Sequence, residues 1–389
     1  MRLIHTADWH LGRSLKGQDR TPELEFALEQ LLQEAQELEA DAVLIAGDVF
    51  DTANPPIEAI RVAYNFFRGL NDAGIPAVLI AGNHDSAARI DSHATLLSLA
   101  GVTALGKPKF AAEGGIIQLE TRAGKLRVGA MPFISERKLL DPKEIWNKTD
   151  TEQRSSYQEI ITNLLDDLSE EFLEDSVNII MAPATLAGAT LSHSERPLDS
   201  LGVYSLAGTC IPSVAQYAAL GHIHKPQKIT QAKIPTYYSG SLIQVDFGEA
   251  EEPKGYYLVE TEPGQPATVE FKTIDCQKPL KQITCQLKTL EDDLEAYRDH
   301  PGYLKVIVQA KKRQTDLAQK VRQICPQAIH VELRYPNIQQ EPDPVQLTEQ
   351  FNPVEAYKNY FENQRSIRPD ETLIKRFRQL YEDIEHEAS

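Results

Sequence analysis

Four short apolar runs in this chain end in residues that bind metals. LIHTA leads into Asp8-Trp9-His10, AVLIA into Gly47-Asp48, a second AVLIA into Gly82-Asn83-His84-Asp85, and YAAL into Gly221-His222-Ile223-His224. The carboxylates of Asp8 and Asp48, the amide of Asn83 and the imidazoles of His10, His222 and His224 make a mixed donor set. Oxygen donors suit manganese or magnesium and imidazole extends the range to iron, zinc and nickel, so the set fits neither a calcium cage nor a structural zinc knot. The chemistry it suggests is a dinuclear hydrolytic centre. A carboxylate between two cations about 3.5 to 4 Å apart lets them clamp a phosphoryl group during in-line displacement. Asp48 is the candidate for that bridging place.

Short Val/Leu/Ile/Ala runs bounded by Gly read as buried strands, and open α/β sheets gather ligands beyond the carboxyl ends of their strands. One D-x-H or one Gly-His-x-His is a weak signal, since such patterns arise by chance. Their joint recurrence is stronger. Charged groups that end buried strands would be left unpaired without a cation, at several kcal/mol each.

The first part of the chain alternates strands with helices. Thr21-Pro22 predicts a helix start with a hydroxyl cap and proline at the first helical position, and Leu24, Leu28, Leu31, Ala35 and Leu38 recur on one face. A second helix from about Pro56 is expected to close at Gly74, where glycine tolerates the left-handed conformation. This rhythm implies an α/β fold with a parallel or mixed sheet and helices outside; two such layers stacked make a four-layer α-β-β-α sandwich. After VTALG the strand-like runs are GGIIQLET, KLRVGAMPF, VNIIMA, TYYSGSLIQVDF, GYYLVE and ATVEFKTI, separated by Pro/Gly-rich turns. A catalytic domain is expected over residues 1–276. Residues 277–335 read strand, helix, strand, helix, strand, a small α/β domain. Residues 336–389 read as a polar, proline-bearing linker and two short amphipathic helices, VEAYKNYFENQ and ETLIKRFRQLYEDIE, too small to bury their own faces.

At 389 residues and 41% hydrophobic content the chain is long enough for two or three domains. No apolar stretch of about 20 residues suits a membrane span, and MRLIHTADWH lacks a signal-peptide apolar region. Cys210, Cys276, Cys285 and Cys325 show neither close pairing nor metal spacing, which fits reduced thiols in the cytoplasm. The net charge of −17 runs against a free-standing nucleic-acid binder, because phosphate-backbone affinity comes largely from Lys and Arg. Two divalent cations would offset about four of those charges. Arg13, Lys16, Arg20 and the cluster Lys311, Lys312 and Arg313 are local candidates for phosphate contact. A basic partner could supply the remainder.

The order D-x-H, GD-x-x-D, GNHD and GH-x-H resembles the calcineurin-like metallophosphoesterases. HTADWHLGRSL, AGDVFDTANPP, AGNHDSAAR, GHIHKPQ and YSGSLIQVDFGE are similar to one branch of them, the bacterial nuclease subunits that work with an ABC-type ATPase. The likeness is strongest from Met1 to Glu249 and beyond about Cys276 is one of layout only. It implies the same sandwich, with the small α/β domain capping the nuclease cleft. It implies that Asp8, His10 and His224 hold one ion and Asn83 and His222 the other, with Asp48 shared and manganese the leading cation, magnesium the second choice. By the same resemblance His84 stays off the metals and protonates the leaving oxygen, which suits a side chain that titrates near neutral pH. Asp51 would orient that imidazole; a loop-capping side chain is the plainer reading. The implied partners are DNA, a second copy of the chain, and the ATPase docked through the C-terminal helices. The implied activities are 3′-to-5′ exonuclease on duplex ends and endonuclease on hairpins or single strands, in the cytoplasm at the nucleoid. No phosphate-binding G-x-x-x-x-G-K-[ST] loop appears, so the ATP would be consumed by the partner.

One departure matters. Chains of this branch carry a metal-binding His just ahead of a segment like ATLAGA, and VNIIMAPATLAGA places Pro183 there. Proline cannot ligate, so the second ion would rest on Asp48, Asn83, His222 and water and be held more weakly. Rescue by His193, or a degenerate or engineered site, are the other readings. Two rival functions use the same residues. A small-molecule or protein phosphatase of this superfamily places Arg-Gly after GD-x-x-D, whereas Asp51 is followed by Thr52-Ala53. A non-catalytic DNA- or ATPase-binding scaffold would follow if Pro183 disables the site.

Overall fold

The structure is a computed structural model that describes residues 1–134, 150–192, 194–195, 205–310 and 316–334. Of the tail it describes 357–358, 361, 369–371 and 373–378. His193, the Lys311–Arg313 cluster and most of both tail helices lie outside the described residues.

Two six-stranded sheets face each other. The first runs Thr268–Thr273, Gly255–Glu260, Arg2–Thr6, Ala42–Ile45, Ala77–Ile80, Val102–Leu105, and the second runs Gln227–Lys228, Thr236–Tyr238, Tyr217–Gly221, Val177–Pro183, Gly124–Ala130, Ile116–Thr121. Their central strands pair in parallel, so the chemistry-bearing ends lie together at one edge of each sheet. Period-two alternation sorts the side chains into layers. Leu3, Leu44, Val78 and Ile80 meet Val128, Ile179, Met181 and Ala219 between the sheets. Ile4, Val43, Ile45 and Leu79 face outward onto the helices Thr21–Glu37, Ile57–Asp72 and Ala87–Leu99. On the far side, Ile180, Ala182, Ala218 and Leu220 pack against Ile161, Leu165 and Leu168 of the helix Asp150–Glu170. Burial on both faces explains why these strands read as continuous apolar runs. The architecture is the four-layer sandwich that the sequence implies.

Two local readings are corrected. The first helix is not capped by the Thr21 hydroxyl. Thr21 is already helical, and both its N–H and its hydroxyl donate to Asp19 Oδ1, at 2.9 and 2.7 Å. In TYYSGSLIQVDF only Thr236–Tyr238 is a strand. The remainder leaves the sheet as an irregular strap, with Ser241 N–H donating to His224 O at 3.1 Å and Val245 N–H to Glu249 Oε2 at 3.0 Å.

A three-stranded parallel sheet, Leu280–Gln286, Tyr303–Gln309, Ala328–Arg334, stands apart with the helices Leu290–Glu295 and Leu317–Ile324. It has its own core, including Ile283, Leu294, Val306, Val308 and Val321. It meets the sandwich where Leu280 packs with Leu15 and Phe247. No helix among the described residues is long and apolar enough to cross a membrane, and none of the four cysteines is disulfide-bonded.

Candidate metal centre

The loops that follow the strands of the first sheet run side by side. Asp8 N–H donates to Gly47 O and His10 N–H to Asp48 O, both at 3.0 Å. Asp85, the residue after His84, is the clamp between the next two loops. Its carboxylate accepts from Gly82 N–H at 3.0 Å, Phe50 N–H at 3.0 Å and Val49 N–H at 3.3 Å. The second sheet is stitched on through Asp8, whose carboxylate oxygens accept His222 N–H at 2.9 and 3.1 Å. Close approach needs glycine at two places. A β-carbon on Gly221 would collide with the Ala46 carbonyl, and one on Gly82 with the Asp48 carboxylate.

The backbone at the site is strained. Asp8 (φ 53°), His10 (52°), Asp48 (51°) and His222 (88°) all occupy the left-handed region. That region costs non-glycine residues on the order of 1–3 kcal/mol each and persists where surrounding structure enforces it, often at functional sites.

The structure brings all six candidate metal ligands together. His10 Nε2 and His224 Nε2 lie 3.0 Å apart, and Asn83 Oδ1 lies 2.9 Å from His222 Nδ1. Asp8, His10 and His224, all buried, each offer a donor atom within 4.8 Å of the others' donors; so do His10, Asp48 and His84. Asp48 Oδ1 accepts His84 N–H at 2.7 Å. The donor chemistry fits cations. Burial pushes the Asp8 carboxyl up from 3.8 to about 7, and it pulls His10 down to about 3 and His222 to about 4. Neutral imidazoles and a carboxyl short of charge compensation are the state that a divalent ion stabilises.

Asp51 sits beside both His84 and His10. Its backbone carbonyl accepts His84 Nδ1–H at 2.7 Å, whereas its carboxylate lies 3.9 Å from that nitrogen. The carboxylate turns to Arg13 Nη1 at 3.0 Å and to His10 Nδ1 at 3.3 Å, the latter a close polar contact without hydrogen-bond geometry. Although burial opposes it, this contact with His10 and Arg13 holds the Asp51 carboxyl well below the usual carboxylate range.

Pro183 ends its strand paired with Gly221, immediately before His222. Val177, Ile179 and Met181 of the strand face the other sheet, and Pro183 shares that face. A β-carbon at Gly47 would stand 3.1 Å from Pro183 Cβ, which puts the ring against the peptide that carries Asp48.

Several residues at the site escape the motif-based reading. Glu249 is fully buried and faces His224 Nδ1 at 3.0 Å; Lys254 pairs with Glu249 at 2.8 Å; Ser194 Oγ lies 2.8 Å from the same ring nitrogen; and Glu195 Oε1 accepts His224 N–H at 3.1 Å. The one sequence signal for Glu249 is the YSGSLIQVDFGE segment that it closes.

Residues 1–226 match the calcineurin-like phosphoesterase family, and residues 270–365 match the type 5 capsule protein repressor C-terminal domain. The fold and the strand-end cluster of Asp, Asn and His are those of a metallophosphoesterase. Over 394 aligned residues, covering 100% of this chain and 99% of that protein, it is 31% identical to the SbcD subunit of nuclease SbcCD from Bacillus subtilis (strain 168). It is also 28% identical to the SbcD subunit of nuclease SbcCD from Staphylococcus epidermidis over 332 residues, covering 84% of this chain and 83% of that protein. The chain belongs to the SbcD family of calcineurin-like phosphoesterases.

Proposed function

We propose that the chain is a metal-dependent DNA nuclease, the phosphodiesterase subunit of an end-processing complex with an SbcC-like ABC ATPase. The observation that carries the reading is the convergence of Asp8, His10, Asp48, Asn83, His222 and His224 at the adjoining strand ends of the two sheets. Full-length likeness to nuclease subunits supports the substrate.

Asp8, His10 and His224 would hold one cation, Asn83 and His222 the other, with Asp48 between them; manganese is preferred and magnesium is second. When bound, the ions would supply an activated water and neutralise the charge that builds on phosphorus. His84 keeps its Nδ1 proton on the Asp51 carbonyl, so Nε2 is the atom that would protonate the departing sugar oxygen. Asp85 holds the loops in register. Pro183 contributes no ligand, so the second ion would be held more loosely than the first.

The activities that follow are 3′-to-5′ cleavage of duplex ends and opening of hairpins or single strands, with residues 1–276 as the nuclease domain and residues 277–335 as a cap on the cleft. Residues 336–389 would dock on the ATPase, and two copies would pair through the first domain's helices, in the cytoplasm at the nucleoid. Deleting residues 336–389 should abolish pull-down of the ATPase and leave manganese-dependent hydrolysis of a small diester.

The deciding assay compares nucleotide release from a labelled hairpin with turnover of nitrophenyl phosphate across manganese concentrations. Hairpin cleavage is expected. Turnover of the monoester alone would point to a phosphatase, and no hydrolysis at saturating metal to a scaffold disabled at Pro183.

A further inference from the structure

His224 is held at every polar atom outside its metal-facing nitrogen. Its peptide N–H donates to Glu195 Oε1 at 3.1 Å. Its carbonyl accepts from Lys254 Nζ at 2.9 Å and from Ser241 N–H at 3.1 Å. Its ring Nδ1 lies 3.0 Å from Glu249 Oε1, with Ser194 Oγ at 2.8 Å. Glu249 and Lys254 are themselves joined at 2.8 Å, with side chains 0% and 3% exposed. Each therefore grips His224 from one side while neutralising the other.

A buried ion pair is costly to assemble, and a hydrophobic pair of the same volume stabilises a fold as well or better. Stability alone does not account for placing one here. Glu249 divides its two oxygens: Oε2 accepts from Lys254, the N–H of Val245 and the Ser241 hydroxyl, whereas Oε1 faces the imidazole and accepts the Ser194 hydroxyl. A carboxylate at Nδ1 keeps a proton on that nitrogen and makes Nε2 the nitrogen that a cation would take, and Nε2 is the atom that lies 3.0 Å from His10 Nε2. Lys254, through the carbonyl, fixes the peptide from which the ring projects.

We infer that Glu249 and Lys254 are a positioning pair for His224, setting its tautomer and ring orientation and thereby the affinity of the cation that it shares with Asp8 and His10. This rests on the reading of the site as a metal centre. Both side chains are buried, so they act through His224.

The test is calorimetric titration of the chelator-stripped full chain with MnCl2, with the electron paramagnetic resonance spectrum of bound Mn2+ as a second readout. The variants are Glu249→Gln, which keeps the shape and loses the charge, and Glu249→Gln/Lys254→Met, which leaves no unpaired buried charge. Asn83→Ala identifies the step that belongs to the other ion. Both Glu249 variants should lose about 10- to 100-fold in affinity at the step that Asn83→Ala spares. They should show an altered Mn2+ spectrum and melt cooperatively without metal as the parent does. Variants that fold and bind Mn2+ like the parent overturn the inference. Loss of the cooperative melt in both also overturns it, since the pair would then serve the fold. A parent chain that binds no divalent cation refutes the metal-centre reading instead.

Discussion

The carbonyl oxygen of Asp51 accepts the Nδ1 proton of His84 at 2.7 Å, while the carboxylate of the same residue lies nearer to His10 Nδ1, 3.3 Å, than to His84, 3.9 Å. One residue thus supports two histidines through different atoms. Backbone support survives substitution and carboxylate support does not, so the two roles separate experimentally.

Asp51→Asn should leave the acidic and basic limbs of the nuclease pH profile in place, because His84 keeps its carbonyl partner. It should weaken Mn2+ binding by about tenfold, because His10 loses the charge behind its ring. Titration calorimetry and a pH–rate series on one preparation check both. Unchanged metal affinity together with a kcat loss equal to that of His84→Ala would return the Asp51 carboxylate to His84.

Asp8 sets the expected pH response of metal binding. Burial raises its folded pKa from 3.8 to about 7, so the metal-free fold is favoured by the protonated form at low pH and loses that contribution as pH climbs from about 4 through 7. A cation needs the ionised form. Mn2+ affinity should fall by at least about tenfold per pH unit below 7, and the rise in melting temperature on adding metal should grow with pH over the same range. His10 and His222, at about 3 and 4, stay neutral across this range and add no slope, whereas His224, lowered by burial but raised on balance by Glu249, gives up a further proton to the cation and steepens the fall. An affinity that is flat from pH 5 to 8 would contradict the assignment.

The strand ends are legible because a residue able to bind metal at the end of a buried run has few other reasons to be there. Asp8, Asp48, Asn83 and His222 are each announced by a flanking glycine or apolar run. Glu249 is not, because it reaches His224 from a strap that reads as a strand: Leu242, Ile243 and Val245 are apolar, yet the strap turns along His224 and bonds its carbonyl. Composition fixes neither choice; tertiary contact does. Arg20 is hidden in the same way. A basic residue in a polar stretch looks solvent-facing until Glu23 and Gln244 draw it inward.

Pro183→His restores an imidazole-bearing residue on the inner face of its strand, beside the peptide of Gly47-Asp48 and in register with Gly221. The expected result is tighter binding at the step that Asn83→Ala removes, by about tenfold or more for one added ligand, with a matching rise in hairpin cleavage at limiting manganese. The other step should not move. Two tight sites in the unaltered chain and no change on restoration would remove this strand from the ligand set.

Arg20 gives the clearest separation of fold from nucleic-acid contact. Its guanidinium is fully buried, bonded to both oxygens of Glu23 at 2.8 and 2.6 Å and to the carbonyl of Gln244 at 3.0 Å, and it lies 5.5 Å from the ring centre of Tyr303. Gln244 in turn accepts Leu280 N–H at 2.7 Å, so the residue fastens the small sheet to the sandwich, and its buried guanidinium offers no surface to a phosphate. Arg20→Met leaves the Glu23 carboxylate buried without its cation and should lower unfolding stability in urea by about 3–5 kcal/mol. Among folded molecules it should leave the salt dependence of DNA binding unchanged. Lys16, four residues earlier and exposed, is the contrasting case. Lys16→Ala should keep stability within about 0.5 kcal/mol and reduce the slope of log affinity against log salt by about one, if it lies on a phosphate. Equal effects of the two variants on the salt slope would place Arg20 on the DNA after all.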